Sequence, residues 1–265
     1  MEKRNKPIGI FDSGVGGLTV VNHLLEVLPD ENFVFFADSA NVPYGNKDKK
    51  LLRKLVINNI NFISQFDIKV IVLACNTADS IIDKKIRNIA KVEIVGPVKS
   101  TAKLAVKQTK NKKIGVMATT ATCLSNSYIK AVKEYDETVE VFQQPCPLLV
   151  SYIEDQNYFN NEQLMLDLLR QYLTPLLEKE VDTIILGCTH YPLVLKYLNV
   201  LAKDINFVSS SLATVLEAEK LLKEKDLLAD RVHLREFYTS SDIETFKEKT
   251  DLFITSDIEK IIKKA

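Results

Sequence analysis

Short, continuously apolar runs alternate along this chain with longer segments in which apolar residues recur every three or four positions. The apolar runs predict strands at Pro7–Phe11, Phe33–Ala37, Lys69–Cys75, Glu93–Gly96, Lys113–Ala118, Val139–Gln143, Asp182–Gly187, Asn206–Ser209 and Leu234–Tyr238. Their interiors are rich in Ile, Val and Phe and do not alternate with polar residues. Strands buried on both faces read this way, as in parallel sheets covered by helices. The clearest helical pattern runs from Glu162 to Glu178. Leu164, Leu168, Tyr172 and Leu176 form one row, with Met165, Leu169, Leu173 and Leu177 beside it, which makes one wide apolar face. Pro175 sits inside this pattern and is expected to kink the helix or end it early. Strand and helix in alternation predict an α/β architecture.

The pattern also repeats. Ile8-Gly9-Ile10-Phe11-Asp12-Ser13 resembles Ile114-Gly115-Val116-Met117-Ala118-Thr119, and each copy is followed later by an apolar run that closes on a cysteine, Cys75 or Cys188. We therefore expect two pseudosymmetric α/β domains with mainly parallel sheets, facing each other across a cleft that holds the active site. The stretch from about Val208 holds too few strands for a third domain and is expected to complete the first. The expected division is residues 1–97 plus 208–265 against residues 98–207.

The two cysteines carry the candidate chemistry. A buried strand that ends in Cys and turns into a helix places sulfur at its carboxyl end, where open α/β sheets bind ligands. A helix N-terminus also favours thiolate. Two thiols in matched settings can face one ligand from opposite sides, as a cofactor-free stereochemical inversion requires. His190, two residues after Cys188, is a proton partner for it or a cap of the next helix. Cys188-Thr189-His190 is too tightly spaced for a standard zinc site, and no metal is expected. Asp12-Ser13-Gly14-Val15-Gly16-Gly17 lies between a strand and a helix with Leu18, Val21, Leu24, Leu25 and Leu28 on its apolar side. It fits a tight turn whose N–H groups bind an anion, or a plain turn capped by Asp12 or Ser13. It lacks the spacing or lysine of a nucleotide loop. Pro43-Tyr44-Gly45 reads as a turn, or as a loop that places N–H groups and a phenol over the cleft. Cys123 and Cys146 read as buried small hydrophobes.

Composition narrows the partners. The 265 residues are 46% hydrophobic and 26% charged, with 35 basic residues against 35 acidic ones. No global field draws such a chain to nucleic acid or to an anionic membrane. The lysine groups at Lys47, Lys49 and Lys50, and at Lys110, Lys112 and Lys113, read as solvated surface. Met1 to Lys6 lead straight into a strand, so no signal peptide is expected. No segment approaches the roughly 20 apolar residues of a membrane span. A cytoplasmic location with reduced thiols is expected, without a disulfide framework.

Read together, the motifs resemble the glutamate racemases of the aspartate/glutamate racemase superfamily. The matching pieces are Asp12-Ser13-Gly14-Val15-Gly16-Gly17-Leu18-Thr19, Pro43-Tyr44-Gly45, Ala74-Cys75-Asn76-Thr77-Ala78, Gly115-Val116-Met117-Ala118-Thr119, Cys146-Pro147, Gly187-Cys188-Thr189-His190-Tyr191-Pro192 and Phe237-Tyr238-Thr239. They follow the family's order along nearly the whole chain. The resemblance implies a cofactor-independent isomerase that interconverts L- and D-glutamate and supplies D-glutamate for peptidoglycan, hence for the cell wall and cell shape. By the same likeness Cys75 and Cys188 are the acid/base residues, assisted by Asp12 and His190. Asp12, Ser13, Tyr44, Gly45, Asn76, Thr77, Thr119, Thr122, Thr189 and His190 bind the substrate. A homodimer is suggested by the likeness alone. The chain departs from the family pattern at Lys99-Ser100-Thr101, at Ser151 and at Ser209-Ser210-Ser211, none of them in a catalytic motif.

An α-proton is very weakly acidic, so placed donors have to stabilise the carbanion-like state. Strand-end N–H groups with Asn76, Thr77 and Thr189 suit that task. One sulfur must be ionised and the other protonated, with the roles exchanging. From a free value of about 8.5, partial lowering of the thiol pKa by helix N-termini and His190 is expected. A carboxylate at Asp12 would disfavour thiolate at Cys75, so Asp12 is read as a proton acceptor or a partner of the substrate ammonium. The rival readings are an aspartate racemase or related two-cysteine isomerase, a non-catalytic dicarboxylate-binding protein, and a thiol-redox protein.

Overall fold

The computed structural model describes residues 2–155, 159–250, 253 and 261–264. Every expected strand is present: β1 Ile8–Asp12, β2 Phe33–Ala37, β3 Val70–Leu73, β4 Ile94–Val95, β5 Lys113–Ala118, β6 Glu140–Pro145, β7 Thr183–Gly187, β8 Asn206–Ser209 and β9 Arg235–Thr239. β10, at Ile261–Lys263, is not foreseen, because two isoleucines among lysines make no apolar run.

The strands form a 6-stranded sheet, β10-β9-β2-β1-β3-β4, and a 4-stranded sheet, β6-β5-β7-β8. Every pairing is parallel. The α/β class with parallel sheets is therefore as the apolar runs predict. The order β2-β1-β3-β4 recurs as β6-β5-β7-β8, so the internal repeat is a repeat of topology. In doubly wound sheets of this order, ligands bind beyond the carboxyl ends of the strands where the winding reverses, between the first and third strands. Asp12 and Cys75 stand at that crevice of the first sheet, and Thr119 and Cys188 at the corresponding crevice of the second.

β9 pairs with β2, from Phe33↔Arg235 to Ala37↔Thr239, so the chain's last strands extend the first sheet. β8 pairs with β7 in the second sheet, and the expected division after residue 207 falls inside it. One apolar cluster joins residues of both halves, among them Ile10, Leu18 and Val72 with Met117, Leu169 and Leu186. The helix Ser210–Glu224 packs on both Leu18–Val27 and Pro97–Gln108.

The helix Glu162–Leu177 buries Met165, Leu168, Leu169, Tyr172, Leu173 and Leu176, while Leu164 and Leu177 at its ends are exposed. Pro175 does not end it early, which corrects that expectation. It stands in the last turn, where the proline's missing N–H costs one bond, and the N–H of Glu178 still reaches the carbonyl of Thr174. Two departures from the family pattern are absorbed as helix. Lys99 pairs with Glu134 at 2.5 Å, and the hydroxyls of Ser100 and Thr101 donate to the carbonyls of Gly96 and Pro97. Ser209 caps the helix Ser210–Glu224. No helix among the described residues is long and apolar enough to cross a membrane.

Candidate active site

A cavity of about 210 Å³ lies between the carboxyl ends of the two sheets. Ser13, Tyr44, Gly45, Cys75, Asn76 and Thr77 line it from the first half, and Thr119, Cys188, Thr189 and His190 from the second. Of the site residues expected from sequence, Asp12 and Thr122 are not in the wall. Thr122 is fully buried behind it, its hydroxyl 3.0 Å from that of Thr119 and 3.3 Å from that of Thr77. Thr77 and Thr119 in turn meet across the cleft, with their hydroxyls 2.9 Å apart.

Asp12 lies beneath the glycine turn. Its Oδ2 accepts N–H bonds from Gly17 at 2.8 Å and Gly14 at 3.3 Å. Its Oδ1 is buried with no hydrogen-bond partner among the described residues. Burial pushes the Asp12 carboxyl above its ordinary value, against the opposing pull of His190 and the N–H donors of the turn.

Cys75 caps a single helical turn, Asn76–Asp79. Its side chain makes no cap bond to that turn, and its sulfur lies 3.6 Å from the hydroxyl of Ser13. The expected lowering of its pKa is corrected here. Burial pushes this thiol well up, the Asp12 carboxylate adds to the rise, and one turn of helix is too short a dipole to win.

Cys188 is followed by a turn and the 3₁₀ segment Tyr191–Val194, so no α-helix begins beside it, contrary to expectation. What it has is His190, whose Nδ1 lies 3.8 Å from the sulfur. The other ring nitrogen, Nε2, meets Glu154 Oε1 at 2.9 Å. Glu154 Oε2 accepts from Lys249 Nζ at 2.7 Å. Burial disfavours the charged imidazole, but the bonds to Cys188 and Glu154 outweigh it and hold the His190 pKa up at about 10. Burial likewise opposes charge on Glu154, yet His190 and Lys249 bring it down to about 2. An imidazolium between a carboxylate and a sulfur results. The two thiols thus sit in opposite electrostatic settings, a carboxyl beside Cys75 and a cation beside Cys188.

Glu154 escapes the sequence reading. It ends the short helix Leu149–Glu154, and nothing in its spacing from His190 announces the pair. Ser151 and Cys146 also line the cavity. Cys146 is 1% exposed, its sulfur bonded to the carbonyl of Gln144, a buried thiol as expected.

Tyr44 lines the cavity but does not turn its hydroxyl to it. The phenol donates to Asp38 Oδ2 at 2.6 Å and accepts from Asn59 Nδ2 at 2.8 Å. The reading of a phenol over the cleft is therefore corrected: these buried partners anchor the loop from behind. Gly16 explains a second motif. A side-chain carbon there would lie 2.4 Å from His190 Nδ1 and 2.6 Å from the Thr189 hydroxyl, so only glycine lets the halves approach this closely. Among the described residues no group of three or more His, Cys, Asp or Glu converges as a metal site would require.

The same arrangement of chain is found in known proteins. The model of the family Asp/Glu/Hydantoin racemase matches residues 20–218. A glutamate racemase of Thermoanaerobacter sp. (strain X514) is 36% identical over 97% of this chain and 96% of its own. The crystal structure of the glutamate racemase isoform RacE1 from Bacillus anthracis superposes with a TM-score of 0.94 at 32% identity, covering 99% of this chain and 98% of that one. The glutamate racemase of Francisella tularensis subsp. tularensis, solved with D-glutamate, gives a TM-score of 0.91 at 30% identity over 99% and 98% of the two chains. By both sequence and fold, the chain belongs to the Asp/Glu/hydantoin racemase family, among its glutamate racemases.

Proposed function

We propose that this protein is a cofactor-independent isomerase that interconverts L- and D-glutamate through Cys75 and Cys188. The observation that carries the reading is that both thiols, at matched strand ends of two repeated sheets, line one cavity. One sulfur, ionised, takes the α-proton from its face of the substrate. The other delivers its proton to the opposite face, and each sulfur ends in the state the other began in. The imidazolium of His190 stabilises negative charge on Cys188 when that sulfur acts as base. Asp12 serves Cys75 in a different way. Its raised pKa and its Oδ1, without a hydrogen-bond partner among the described residues, suit a group that takes up the Cys75 proton, while its place behind the cavity wall speaks against a contact with the substrate ammonium. N–H groups at the start of Asn76–Asp79, with the hydroxyls of Thr77, Thr119 and Thr189, are the donors for the charge that develops on the substrate carboxylate. Closure of the two halves over the substrate excludes water and strengthens each of these interactions.

The two halves, residues 1–97 plus 208–265 and residues 98–207, act as the two walls of the site. D-glutamate made in the cytoplasm supplies peptidoglycan synthesis in this reading, and the working form is a homodimer, to be checked by light scattering. The deciding experiment is α-proton exchange in heavy water, with L- and D-glutamate supplied separately and no cofactor added, followed by NMR and by the chirality of the product. Exchange with inversion from both enantiomers is expected, with aspartate inert. Binding of glutamate without exchange would leave a dicarboxylate-binding protein instead.

A further inference from the structure

One buried side chain touches the neighbours of both thiols. Tyr128 lies on the helix Ser127–Tyr135 of the second half and is fully buried. Its hydroxyl crosses to the first half and donates to Asn76 Oδ1 at 2.5 Å. Asn76 is the residue after Cys75. The ring lies against the residue before Cys188: a side-chain carbon at Gly187 would sit 3.1 Å from Tyr128 Cε2. The amide of Asn76 is committed at its other end too, since Nδ2 donates to the hydroxyl of Ser210 at 3.0 Å. Ser210 opens the helix Ser210–Glu224 and is also fully buried.

We propose that Tyr128 is a positioning residue that sets the spacing between the two thiols, its hydroxyl fixing Asn76 beside Cys75 and its ring fixing Gly187 beside Cys188. The inference rests on the two-thiol reading above. A buried tyrosine needs only some partner for its hydroxyl. This one finds its partner across the cleft, on the turn that carries the first sulfur, while its ring backs the strand end that carries the second. With a bond at each end of its amide, the Asn76 side chain is part of the same brace. Inversion requires the second sulfur to stand opposite the first at the moment the carbanion forms. A misplacement of about 1 Å is enough to cost roughly a hundredfold in such a step.

Tyr128→Phe keeps the ring and removes the brace. The test is deuterium incorporation in heavy water, measured separately in recovered substrate and in inverted product, alongside kcat and KM for both enantiomers. In the wild type, the C–H bond breaks to one sulfur and a C–D bond forms from the other, so deuterium appears chiefly with inversion. When the second sulfur is out of line, the first sulfur exchanges its proton with solvent and returns deuterium to the same face. In Tyr128→Phe we expect kcat to fall about tenfold or more, KM to change much less, and retention with exchange to rise severalfold relative to inversion in both directions. Loss of active protein alone would lower both outcomes equally and leave their ratio fixed, so an unchanged ratio overturns the inference. Should Tyr128→Phe not fold, Ser210→Ala, which frees the opposite end of the Asn76 amide, decides by the same ratio: a rise supports the brace and no change overturns it. A wild type that exchanges neither enantiomer overturns the two-thiol reading and this inference with it, whereas a normal wild type with a normal ratio in the variants overturns this inference alone.

Discussion

Gly16 and His190 are packed so closely that a methyl group on the glycine would stand 2.4 Å from the imidazole Nδ1. They belong to different halves of the chain, and the imidazole they share space with is the one beside Cys188. The glycine turn therefore does more than connect a strand to its own helix. It is the surface on which His190 rests. Gly16→Ala is expected to push His190 out of line with the sulfur. Overpacking of this kind costs about 1–3 kcal/mol of stability, while kcat/KM should fall by roughly a hundredfold because the displaced group is at the chemistry. Denaturant unfolding and steady-state kinetics on the same sample check both. A variant with wild-type turnover would show that the halves separate enough in the working state to accept a side chain there.

The thiols themselves make the second prediction. Cys75→Ser and Cys188→Ser keep a small polar group at each strand end, and both cysteines are buried, so the fold should survive. A hydroxyl is a far weaker acid than a thiol and forms a poor base at neutral pH. Each substitution is expected to lower racemisation by roughly 10²–10⁴, the usual worth of a positioned acid or base. Circular dichroism of the product, read from each enantiomer in turn, measures it. Near-normal turnover in either variant would sink the two-thiol mechanism.

The parts of this molecule that can be read from sequence are those governed by burial. Parallel strands covered on both faces leave continuous apolar runs, so β1 to β9 were visible with few boundary errors. Ile261–Lys263 was not, because it is three residues long and one of them is a lysine. The two cysteines were visible because each closes such a run. The direction in which a side chain leaves a turn has no comparable signature. Tyr44 lines the cavity, but its hydroxyl, which one of the two readings of its loop placed over the cleft, bonds to Asp38 and Asn59 behind it. Thr122 was expected in the wall and lies beneath it. Glu154 carries the charge opposite His190 but comes from a separate helix, and only the fold brings the two together. The electrostatic reading failed at Cys75 for a related reason. Helix termini are visible in sequence, whereas the degree of burial that outweighs them is not.

Glu154 yields the third prediction. Glu154→Gln keeps the shape of the side chain and a contact to Nε2 but removes the charge that faces both His190 and Lys249. Losing charge-assisted bonds of this kind should cost about 1.5–3 kcal/mol of stability. With that carboxylate gone, His190 should lose its proton at a lower pH than in the wild type, and the alkaline limb of the racemisation profile should move in the same direction. A pH profile superimposable on that of the wild type would mean that Glu154 is a structural partner of Lys249 only.

The charge on His190 can also be followed through stability. Its folded pKa is raised from 6.5 to about 10 by its bonds to Cys188 and Glu154, despite burial. A cation with a raised folded pKa contributes stability that is fully present below 6.5, declines above it, and is gone once the pH has risen through about 10. Glu154 runs the other way. Its folded pKa is lowered from 4.5 to about 2, so its contribution is fully present above 4.5 and is lost as the pH falls through about 2. The pair is therefore at full strength between 4.5 and 6.5. Urea unfolding of the wild type and of His190→Asn should show the widest gap in midpoint within that window. The gap should then shrink steadily as the pH climbs towards 10. A gap that stays constant over the alkaline range would mean that the folded imidazole is neutral, and Cys188 would then face a neutral ring in place of a cation.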